Sequence, residues 1–302
     1  MKMQGILFDI KRFAIHDGPG IRTTIFFKGC PLNCYWCHNP ESQSPDPEII
    51  LNQDRCIEGC RECLDACNTS AISKIDKISV NKERCNVCGE CAKLCPSEAV
   101  KMIGKEVTVT GVMKEIEKDL IFYNESGGGV TFSGGEPLVQ PEFLKSLLEA
   151  CQGKGIHTAL DTAGYAPFET IRRLICSIDL VIYDIKLMNN KKHKKYTGVS
   201  NVPILKNLEK LSKIHENIEI RIPIVPEITD TEENINQIAK FLAVLKNIEN
   251  IGLLPYHTAG NKKYERLNKE NKMREVSPPS ERKMEKIKNI FEEYNFEVKI
   301  GG

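Results

Sequence analysis

The sequence carries almost no net charge and contains no long apolar run. Its 42 lysine and arginine residues nearly balance its 41 aspartate and glutamate residues, for a formal net charge of +1. A balanced chain has no broad electrostatic attraction for nucleic acids or anionic membranes, so we expect neither as a partner. The longest apolar runs, such as residues 180–182 and 251–255, are far shorter than the roughly 20 residues of a membrane span.

The N-terminal segment also lacks the apolar core of a secretory signal. It reaches a lysine at position 2 and has no uninterrupted apolar stretch of the kind that a signal peptide needs. This favours a cytoplasmic protein, whose thiols stay reduced.

Cysteine, by contrast, is abundant, with 13 residues in a chain of 302. In a reducing compartment a dense and odd-numbered set of cysteines indicates metal ligation rather than disulfides. Cys151 and Cys176 stand apart and are interpreted as buried thiols without chemistry. The other eleven form three groups: Cys30, Cys34 and Cys37; Cys56, Cys60, Cys63 and Cys67; and Cys85, Cys88, Cys91 and Cys95.

The third group has the spacing C-x2-C-x2-C-x3-C followed by Pro96, the bacterial ferredoxin pattern that holds [4Fe–4S] clusters. The second group follows the same plan with one extra residue in its first gap. NTSAI after Cys67 parallels PSEAV after Cys95, which indicates a duplicated module. We therefore predict two clusters with crossed ligands. The first would use Cys56, Cys60, Cys63 and Cys95, and the second would use Cys85, Cys88, Cys91 and Cys67.

Two structural zinc sites are the alternative for these eight cysteines, but zinc sites normally separate two CxxC pairs by a longer stretch. The first group differs because it offers only three thiolates. A cluster held by three thiolates leaves one iron open to a substrate or cofactor.

Outside residues 50–103 the chain alternates apolar, β-branched runs with amphipathic helical patterns, which predicts a parallel α/β sheet or barrel with its site at the carboxyl ends of the strands. The predicted strands are Arg22–Phe27, Val130–Ser133, His157–Asp161, Leu180–Ile185, Ile218–Val225, Ile251–Tyr256 and Phe296–Ile300. The predicted helices cover residues 142–152, 168–177, 203–215, 231–247 and 279–294.

The triplet CxxxCxxC, with Trp36 before its last cysteine, resembles the signature of the radical S-adenosylmethionine superfamily. This resemblance implies that Cys30, Cys34 and Cys37 hold a catalytic [4Fe–4S] cluster whose open iron binds S-adenosylmethionine. It implies a partial (β/α)6 barrel of the TIM type, with the cysteine-rich segment inserted as a ferredoxin-like domain. The expected domains are residues 1–49 for the start of the barrel, 50–103 for the insertion and 104–302 for the remainder.

Further motifs resemble the glycyl-radical-enzyme activating enzymes over essentially the whole chain: HDGPGIR, WCHNPES, ESGGGVTFSGGEP, DTAG, YDIKLMN and LLPYHTAG. The two-cluster insertion resembles the longer subgroup, which acts on dehydratases, decarboxylases and lyases. The implied reaction removes a hydrogen from one glycine of a partner enzyme. The resemblance also implies flavodoxin or ferredoxin as the electron donor, and we expect a monomer.

The resemblance assigns roles to residues at the strand ends. The expected cofactor-binding residues are Trp36, Cys37, His38, Gly134, Gly135, Glu136, Asp184, Ile185, Lys186, Arg221 and His257. Glu136 would accept hydrogen bonds from the cofactor's ammonium group, and Arg221 is either a carboxylate partner or part of a structural salt bridge. The expected ligands of a monovalent cation beside the cofactor are Asp17, Asp161, Thr162 and Asp184.

Several interpretations stay open at this point. The two auxiliary clusters would either relay electrons or hold together an insertion too small for a large core. A radical S-adenosylmethionine enzyme that matures peptides, or a non-enzymatic iron–sulfur electron carrier, is the alternative function. Two basic stretches, residues 186–195 and 262–274, are interpreted as solvated loops, although the first follows a predicted active-site strand and could meet the partner.

Overall fold

The computed structural model describes residues 3–301, which form a mixed α/β protein built on a nine-stranded sheet. The strands in chain order are β1 (Gln4–Ala14), β2 (Arg22–Phe27), β3 (Glu48–Leu51), β4 (Ile72–Lys74), β5 (Ile78–Val80), β6 (Val100–Ile103), β7 (Lys105–Thr108), β8 (Gly129–Gly134), β9 (Thr158–Thr162), β10 (Leu180–Asp184), β11 (Ile218–Ile224), β12 (Ile248–Pro255) and β13 (Glu297–Ile300).

The helices begin and end at residues that suit those positions. Thr231 and Ser280 accept hydrogen bonds from the third residue of the following helix, and proline occupies the first turn of two others. The helices are α1 (Glu62–Asp65), α2 (Glu90–Lys93), α3 (Val109–Ile116), α4 (Leu120–Ser126), α5 (Pro141–Gln152), α6 (Phe168–Leu174), α7 (Asn190–Thr197), α8 (Val202–Leu211), α9 (Glu232–Ala243), α10 (Asn261–Arg266) and α11 (Glu281–Glu292). None of those in residues 3–301 is long and apolar enough to cross a bilayer.

The large sheet has the order β13-β12-β11-β10-β9-β8-β2-β1-β7. Neighbouring strands from β2 through β13 run parallel, whereas β1 is antiparallel to both β2 and β7. All seven predicted strands and all five predicted helices are therefore confirmed, apart from end residues. β1 and β7 were not predicted.

The sheet curves strongly. Arg221 on β11 donates a hydrogen bond from Nη2 to the carbonyl oxygen of His16, in the turn before β2, at 2.7 Å. Four strand spacings separate β11 from β2 in the sheet order, which amounts to about 19 Å in a flat sheet. The contact is possible only because the strands bend around a common concave face.

Amphipathic helices cover the convex face and bury the main core. In α5 the side chains of Phe143, Leu144, Leu147, Leu148 and Cys151 fall on one face and are all buried.

Two interpretations of the sequence are wrong. Most of the basic stretch after β10 forms helix α7 instead of a loop, and the second stretch begins with helix α10. Cys176 is exposed instead of buried, because it lies in a short 3-10 turn after α6.

The cysteine-rich segment has its own small core. Its ends are joined by antiparallel strands β3 and β6, where Glu48 pairs with Ile103 and Leu51 with Val100. The core contains Ile72, Ile78 and Val100 together with two of the cysteines, Cys63 and Cys91. The chain thus leaves the large sheet and returns to it at neighbouring points.

Candidate active site

The carboxyl ends of six neighbouring parallel strands, β2 and β8 to β12, surround a cavity of about 200 Å³. Its lining residues are Cys30, Leu32, Cys34, Trp36, Cys37, His38, Asn39, Ser42, Ser133, Gly134, Gly135, Asp161, Thr162, Ala163, Asp184, Lys186, Pro223, Val225, Leu254 and Tyr256. The cavity lies where the β/α pattern predicts a functional site.

The cysteine loop, residues 28–39 after β2, is fixed by its main chain. The Gly29 N–H donates to the Ser42 carbonyl at 2.7 Å, and the Tyr35 N–H donates to the Tyr196 carbonyl at 3.0 Å. Trp36 is buried within a small apolar cluster beneath the loop. The three cysteines therefore present their thiols from a loop anchored on both sides.

These three thiols are buried close to one another. Burial raises the pKa of Cys34 to about 12 and also raises the pKa values of Cys30 and Cys37. The charges of Cys34 and Cys37 contribute to the shift at Cys30, which places the three sulfurs in one neighbourhood. Since metal binding requires thiolates, iron would have to displace these protons. Three thiols on one cavity wall suit a cluster with an open iron.

The described residues 3–301 contain no group of three or more His, Cys, Asp or Glu side chains placed as ligands of a single ion. That arrangement is what a mononuclear site needs, because all of its ligands lie about 2.0–2.3 Å from one point.

A pair of glycines brings the end of β8 against the base of the cysteine loop. A Cβ on Gly135 would meet the carbonyl oxygen of Gly29 at 2.3 Å, and Gly134 has a φ of +116°. Both positions therefore need glycine. Both glycines line the cavity, as expected from the sequence.

Glu136 lies behind the cavity wall and does not line it. Its carboxylate is fully buried and accepts hydrogen bonds from Thr162 Oγ1 at 2.6 Å and from the Ala163 N–H at 2.9 Å. Burial raises its pKa to about 7, although these hydrogen bonds lower it. In this arrangement Glu136 orients the end of β9, where Thr162 and Ala163 do face the cavity.

Asp161 is the second-last residue of β9, and Asp184 is the last residue of the adjacent strand β10. Ser133 Oγ donates to Asp161 Oδ2, and Lys186 Nζ donates to Asp184 Oδ2, both at 2.6 Å. Burial and the charge of Asp184 raise the pKa of Asp161 to about 6. Burial lowers the pKa of Lys186, but the charges of Asp184 and Cys34 outweigh it and leave the pKa raised.

Asp17 and Arg221 lie near these two carboxylates, and the charges of both act on the pKa of Asp161. Asp17 accepts a hydrogen bond from Thr24 Oγ1 at 2.6 Å and is 4.0 Å from Arg221 Nη1. Arg221 Nε is also 3.4 Å from Glu219. Arg221 does not line the cavity, so its geometry supports the salt-bridge interpretation.

The last three expected cofactor-binding residues are His38, His257 and Ile185. His38 lines the cavity, and its ring stacks on that of His257 with centroids 3.9 Å apart. Burial and the charge of His257 lower the pKa of His38 to about 4. The Nε2 atom of His38 is buried without a partner among residues 3–301. His257 lies behind His38, and Ile185 is buried in the main core.

Sequence reasoning missed several lining residues, which are Leu32, Asn39, Ser42, Ser133, Ala163, Pro223, Val225, Leu254 and Tyr256. Position was the available signal, since Ser133, Val225 and Tyr256 are the last residues of strands predicted from the sequence.

The insertion cysteines fall into two neighbourhoods. Burial raises the pKa of Cys63, and the nearby thiols that raise it further are those of Cys95, Cys56 and Cys60. Burial likewise raises the pKa of Cys91 to about 11, and the thiols that raise it further are those of Cys85, Cys67 and Cys88. Each neighbourhood thus contains one cysteine from the other group of four.

The two exchanged cysteines have matching hydrogen bonds. The Ala71 N–H donates to Cys67 Sγ at 3.2 Å, and the Val100 N–H donates to Cys95 Sγ at 3.4 Å. Although burial acts the other way, such hydrogen bonds lower the pKa of both thiols. This repetition agrees with the duplicated sequence and favours thiolate at both positions.

Comparisons with known proteins agree with this site. A family model described as a 4Fe-4S single cluster domain matches residues 16–205. The chain is 45% identical to a trans-4-hydroxy-L-proline dehydratase activating enzyme of Clostridioides difficile, over 99% of this chain and all of that protein. It is 43% identical to an isethionate sulfite-lyase activating enzyme of Oleidesulfovibrio alaskensis, over 91% of both chains. It is 37% identical to a 4-hydroxyphenylacetate decarboxylase activating enzyme of Clostridium scatologenes, over 100% and 98% of the two chains.

Solved structures share the fold. A domain of a pyruvate-formate lyase-activating enzyme from Bacteroides vulgatus matches with a TM-score of 0.51 and 36% identity, over 58% of this chain and all of that one. A radical SAM methyltransferase from Sphaerobacter thermophilus shares the fold, with a TM-score of 0.54 and 11% identity over 92% of this chain and 66% of that one. The chain therefore belongs to the glycyl-radical-enzyme activating enzymes of the radical S-adenosylmethionine superfamily.

Proposed function

We propose that this protein activates a partner glycyl radical enzyme by removing one hydrogen from a glycine of that enzyme. The observation that carries the proposal is the meeting of Cys30, Cys34 and Cys37 with the glycine pair Gly134–Gly135 in one buried cavity. Family membership supports the reaction class, because similar proteins activate dehydratases, lyases and decarboxylases.

A [4Fe–4S] cluster held there would supply the electron for reductive cleavage of S-adenosylmethionine to methionine, and the resulting 5′-deoxyadenosyl radical would take the glycine hydrogen to give 5′-deoxyadenosine and a glycyl radical on the partner. In this proposal the three cysteines hold the cluster, and Trp36, His38, Gly134 and Gly135 shape the wall that receives the cofactor. Asp184 and Lys186 give that wall one negative and one positive group for the polar parts of the cofactor. The enclosed strand ends orient the reactants and exclude water.

Glu136, Ile185, Arg221 and His257 take indirect parts in this proposal. None of them lines the cavity, yet Glu136 holds Thr162 and Ala163, and His257 supports the ring of His38. Arg221 fixes the turn before β2 through His16. Ile185 acts through its main chain, which donates a hydrogen bond to the Arg221 carbonyl at 2.9 Å.

We further propose that the curved sheet is a partial (β/α)6 barrel divided by a ferredoxin-like insertion. The contact between β11 and the turn before β2 supports the curvature, and the pairing of β3 with β6 supports the insertion. The domain boundaries remain those predicted, residues 1–49, 50–103 and 104–302. The insertion would hold two further [4Fe–4S] clusters, for three in total, with the crossed ligands that the two thiol neighbourhoods support.

The proposed partners are proteins. The glycyl radical enzyme would be a dehydratase, lyase or decarboxylase, and identities of 45% and 43% to activators of two different classes leave the choice to experiment. A flavodoxin or ferredoxin would supply the electron to a monomeric activating enzyme in the cytoplasm.

The function is tested by anaerobic reconstitution with iron and sulfide, followed by S-adenosylmethionine and a chemical reductant. We expect about 12 iron atoms per chain if all three clusters are cubanes. With a hydroxyproline dehydratase, isethionate sulfite-lyase or hydroxyphenylacetate decarboxylase, one partner should gain a glycyl radical visible by electron paramagnetic resonance. When that partner carries glycine deuterated at Cα, deuterium should appear in 5′-deoxyadenosine.

Each alternative function predicts another result. An electron carrier would form no 5′-deoxyadenosine, and a peptide-maturing enzyme would form it without a glycyl radical on any partner. Either result would reject the proposal.

We also propose that a monovalent cation binds among Asp17, Asp161, Thr162 and Asp184, whose carboxylates would have to move closer together, since they are not arranged as ligands of one ion in the described residues 3–301. The support is electrostatic, since partial burial and the charges of Asp184 and Asp17 all raise the pKa of Asp161. Oxygen ligands from carboxylates suit a hard cation, and a bound cation would offset the repulsion among them.

The raised pKa of Asp161 predicts a pH-dependent effect of such a cation. An unfolded aspartate ionises near pH 3.9, whereas Asp161 does so at about 6. Between these values the folded state binds more protons, so the free energy of unfolding falls as the pH rises. Potassium or sodium should therefore raise the Tm more at about pH 7.5 than at about pH 5. Tetramethylammonium at the same ionic strength is the control, and Asp161→Asn should remove the difference. An equal rise with all three ions would contradict the site.

A further inference from the structure

The cysteine loop separates two cavities. Its inner side faces the 200 Å³ cavity of the active site, and its outer side faces a more open cavity of about 600 Å³. Cys30, Leu32 and Cys34 line both. A cluster held by this loop would therefore be separated from the outer cavity only by the loop itself.

Both basic stretches of the sequence meet at this outer side. Lys195 Nζ lies 4.9 Å from the ring centroid of Tyr196, which packs edge-on against Tyr35 at 5.4 Å. Lys272 Nζ lies 4.1 Å from the ring centroid of Tyr35. These contacts join two lysines and two tyrosines in one row. Within this row, Tyr35 belongs to the cysteine loop and stands between Cys34 and Cys37 in the sequence. We call this row, with the 600 Å³ cavity beside it, the outer face.

The outer face carries a net positive charge. Helix α7 carries four exposed lysines, and within residues 3–301 only Lys192 of these reaches a carboxylate, that of Glu233 at 3.7 Å. Residues 262–274 contain six basic and two acidic residues, although Lys263 and Lys269 pair with Glu41 and Glu48, and one of the two acidic residues lines the outer cavity. The insertion, residues 50–103, contains eight of each and has no net charge. The excess positive charge is thus concentrated near the cysteine triplet and not on the insertion.

We propose that the outer face is the docking surface for an acidic one-electron donor protein, which reduces the triplet cluster directly and not through the insertion. This inference rests on the proposed function. The partner's glycine must reach the inner cavity, where the cofactor would bind, whereas an electron needs only a short path to the cluster. The outer face offers that path without blocking the inner cavity. Its lysines complement the acidic surface of such a donor and would speed the encounter.

Charge reversal on the outer face tests the proposal in the reconstituted enzyme. The variant Lys195→Glu with Lys272→Glu is compared with Lys82→Glu with Arg84→Glu, which makes the same charge change at exposed positions of the insertion. Deoxyadenosine formation is measured at low ionic strength with reduced flavodoxin, with reduced ferredoxin and with dithionite. We expect the outer-face variant to be slowed at least about tenfold with a protein donor, and both variants to stay within about twofold of the parent with dithionite.

Several results would overturn the proposal. These are an unchanged protein-driven rate in the outer-face variant, a larger loss in the insertion variant, or slower reduction when excess partner enzyme is added. Ionic strength gives a second measurement that needs no variant. Raising it from about 20 to about 300 mM should slow the parent with a protein donor but not with dithionite. A parent that forms no deoxyadenosine even with dithionite would instead reject the proposed function.

Discussion

Replacing Cys30, Cys34 and Cys37 together by alanine is expected to abolish 5′-deoxyadenosine formation and to lower the iron content from about 12 to about 8 atoms per chain. The three thiols lie on one wall of the cavity, and that lining contains no other cysteine. Without them the chain has nothing at this point to hold iron, so no electron can reach the cofactor. The loss should be complete with dithionite as well as with a protein donor, because both must act through the same site.

Cys176→Ser provides the control for this variant. Cys176 is an exposed thiol that follows α6, far in sequence from the three cysteine groups. We therefore expect full iron content and full activity from the Cys176→Ser variant. Far-ultraviolet circular dichroism checks that the triple variant keeps its helices. Measurable deoxyadenosine from a folded triple variant would show that another site carries the chemistry.

The sequence predicted the parallel part of the sheet because those strands are covered on both faces. Residues 180–183 of β10, for example, are uninterrupted by any charged side chain, and Val181, Ile182 and Tyr183 are all buried. β1 was missed because it is half exposed and mixes Asp9, Lys11 and Arg12 with its apolar residues. A strand near the edge of the sheet that has only one covered face gives no long apolar run. Only its pairing with the neighbouring strands reveals it.

Local spacing predicted the cysteine ligands, but it could not show which way single strand-end side chains point. Glu136 belongs to a motif typical of cofactor contact, yet its carboxylate turns behind the wall toward Thr162. That direction depends on where β9 ends relative to β8, which is a tertiary relation. Tyr35 and Lys272 illustrate the same limit, since 237 positions separate two residues that stack in the fold.

The basic stretches show that composition alone does not determine the local structure of a segment. Each is a run of lysines that suits a solvated loop. The first instead forms α7, whose last turn receives main-chain hydrogen bonds from the cysteine loop at Thr197 and Tyr196. Only the folded chain brings both stretches to the same side of that loop.

Two double cysteine replacements in the insertion are expected to give different iron contents, and the difference reveals which thiols share a cluster. With crossed ligands, Cys95→Ala with Cys63→Ala leaves one cluster only two thiolates, so that cluster is lost and about 8 iron atoms per chain remain. Cys95→Ala with Cys91→Ala leaves each cluster three thiolates, the number that holds the catalytic cluster, so the iron content stays at about 12. The two pairs are closely matched, because the exposed fractions of Cys63 and Cys91 are 6% and 7%. Uncrossed ligands predict the two iron contents in the reverse order.

Replacing Cys60, Cys63, Cys88 and Cys91 together by alanine leaves each insertion cluster only two thiolates, and this double-loss variant should also lose the fold of the insertion. The small core there includes Cys63 and Cys91 themselves beside Ile72, Ile78 and Val100, which is too little apolar surface to fold a segment of this length alone. Binding of the clusters would therefore supply much of its folding free energy. Limited proteolysis should cut the double-loss variant within residues 52–99 while the remaining sheet stays protected. Resistance to the protease in that variant would mean that the insertion folds without its clusters, and that the ligands serve electron transfer alone.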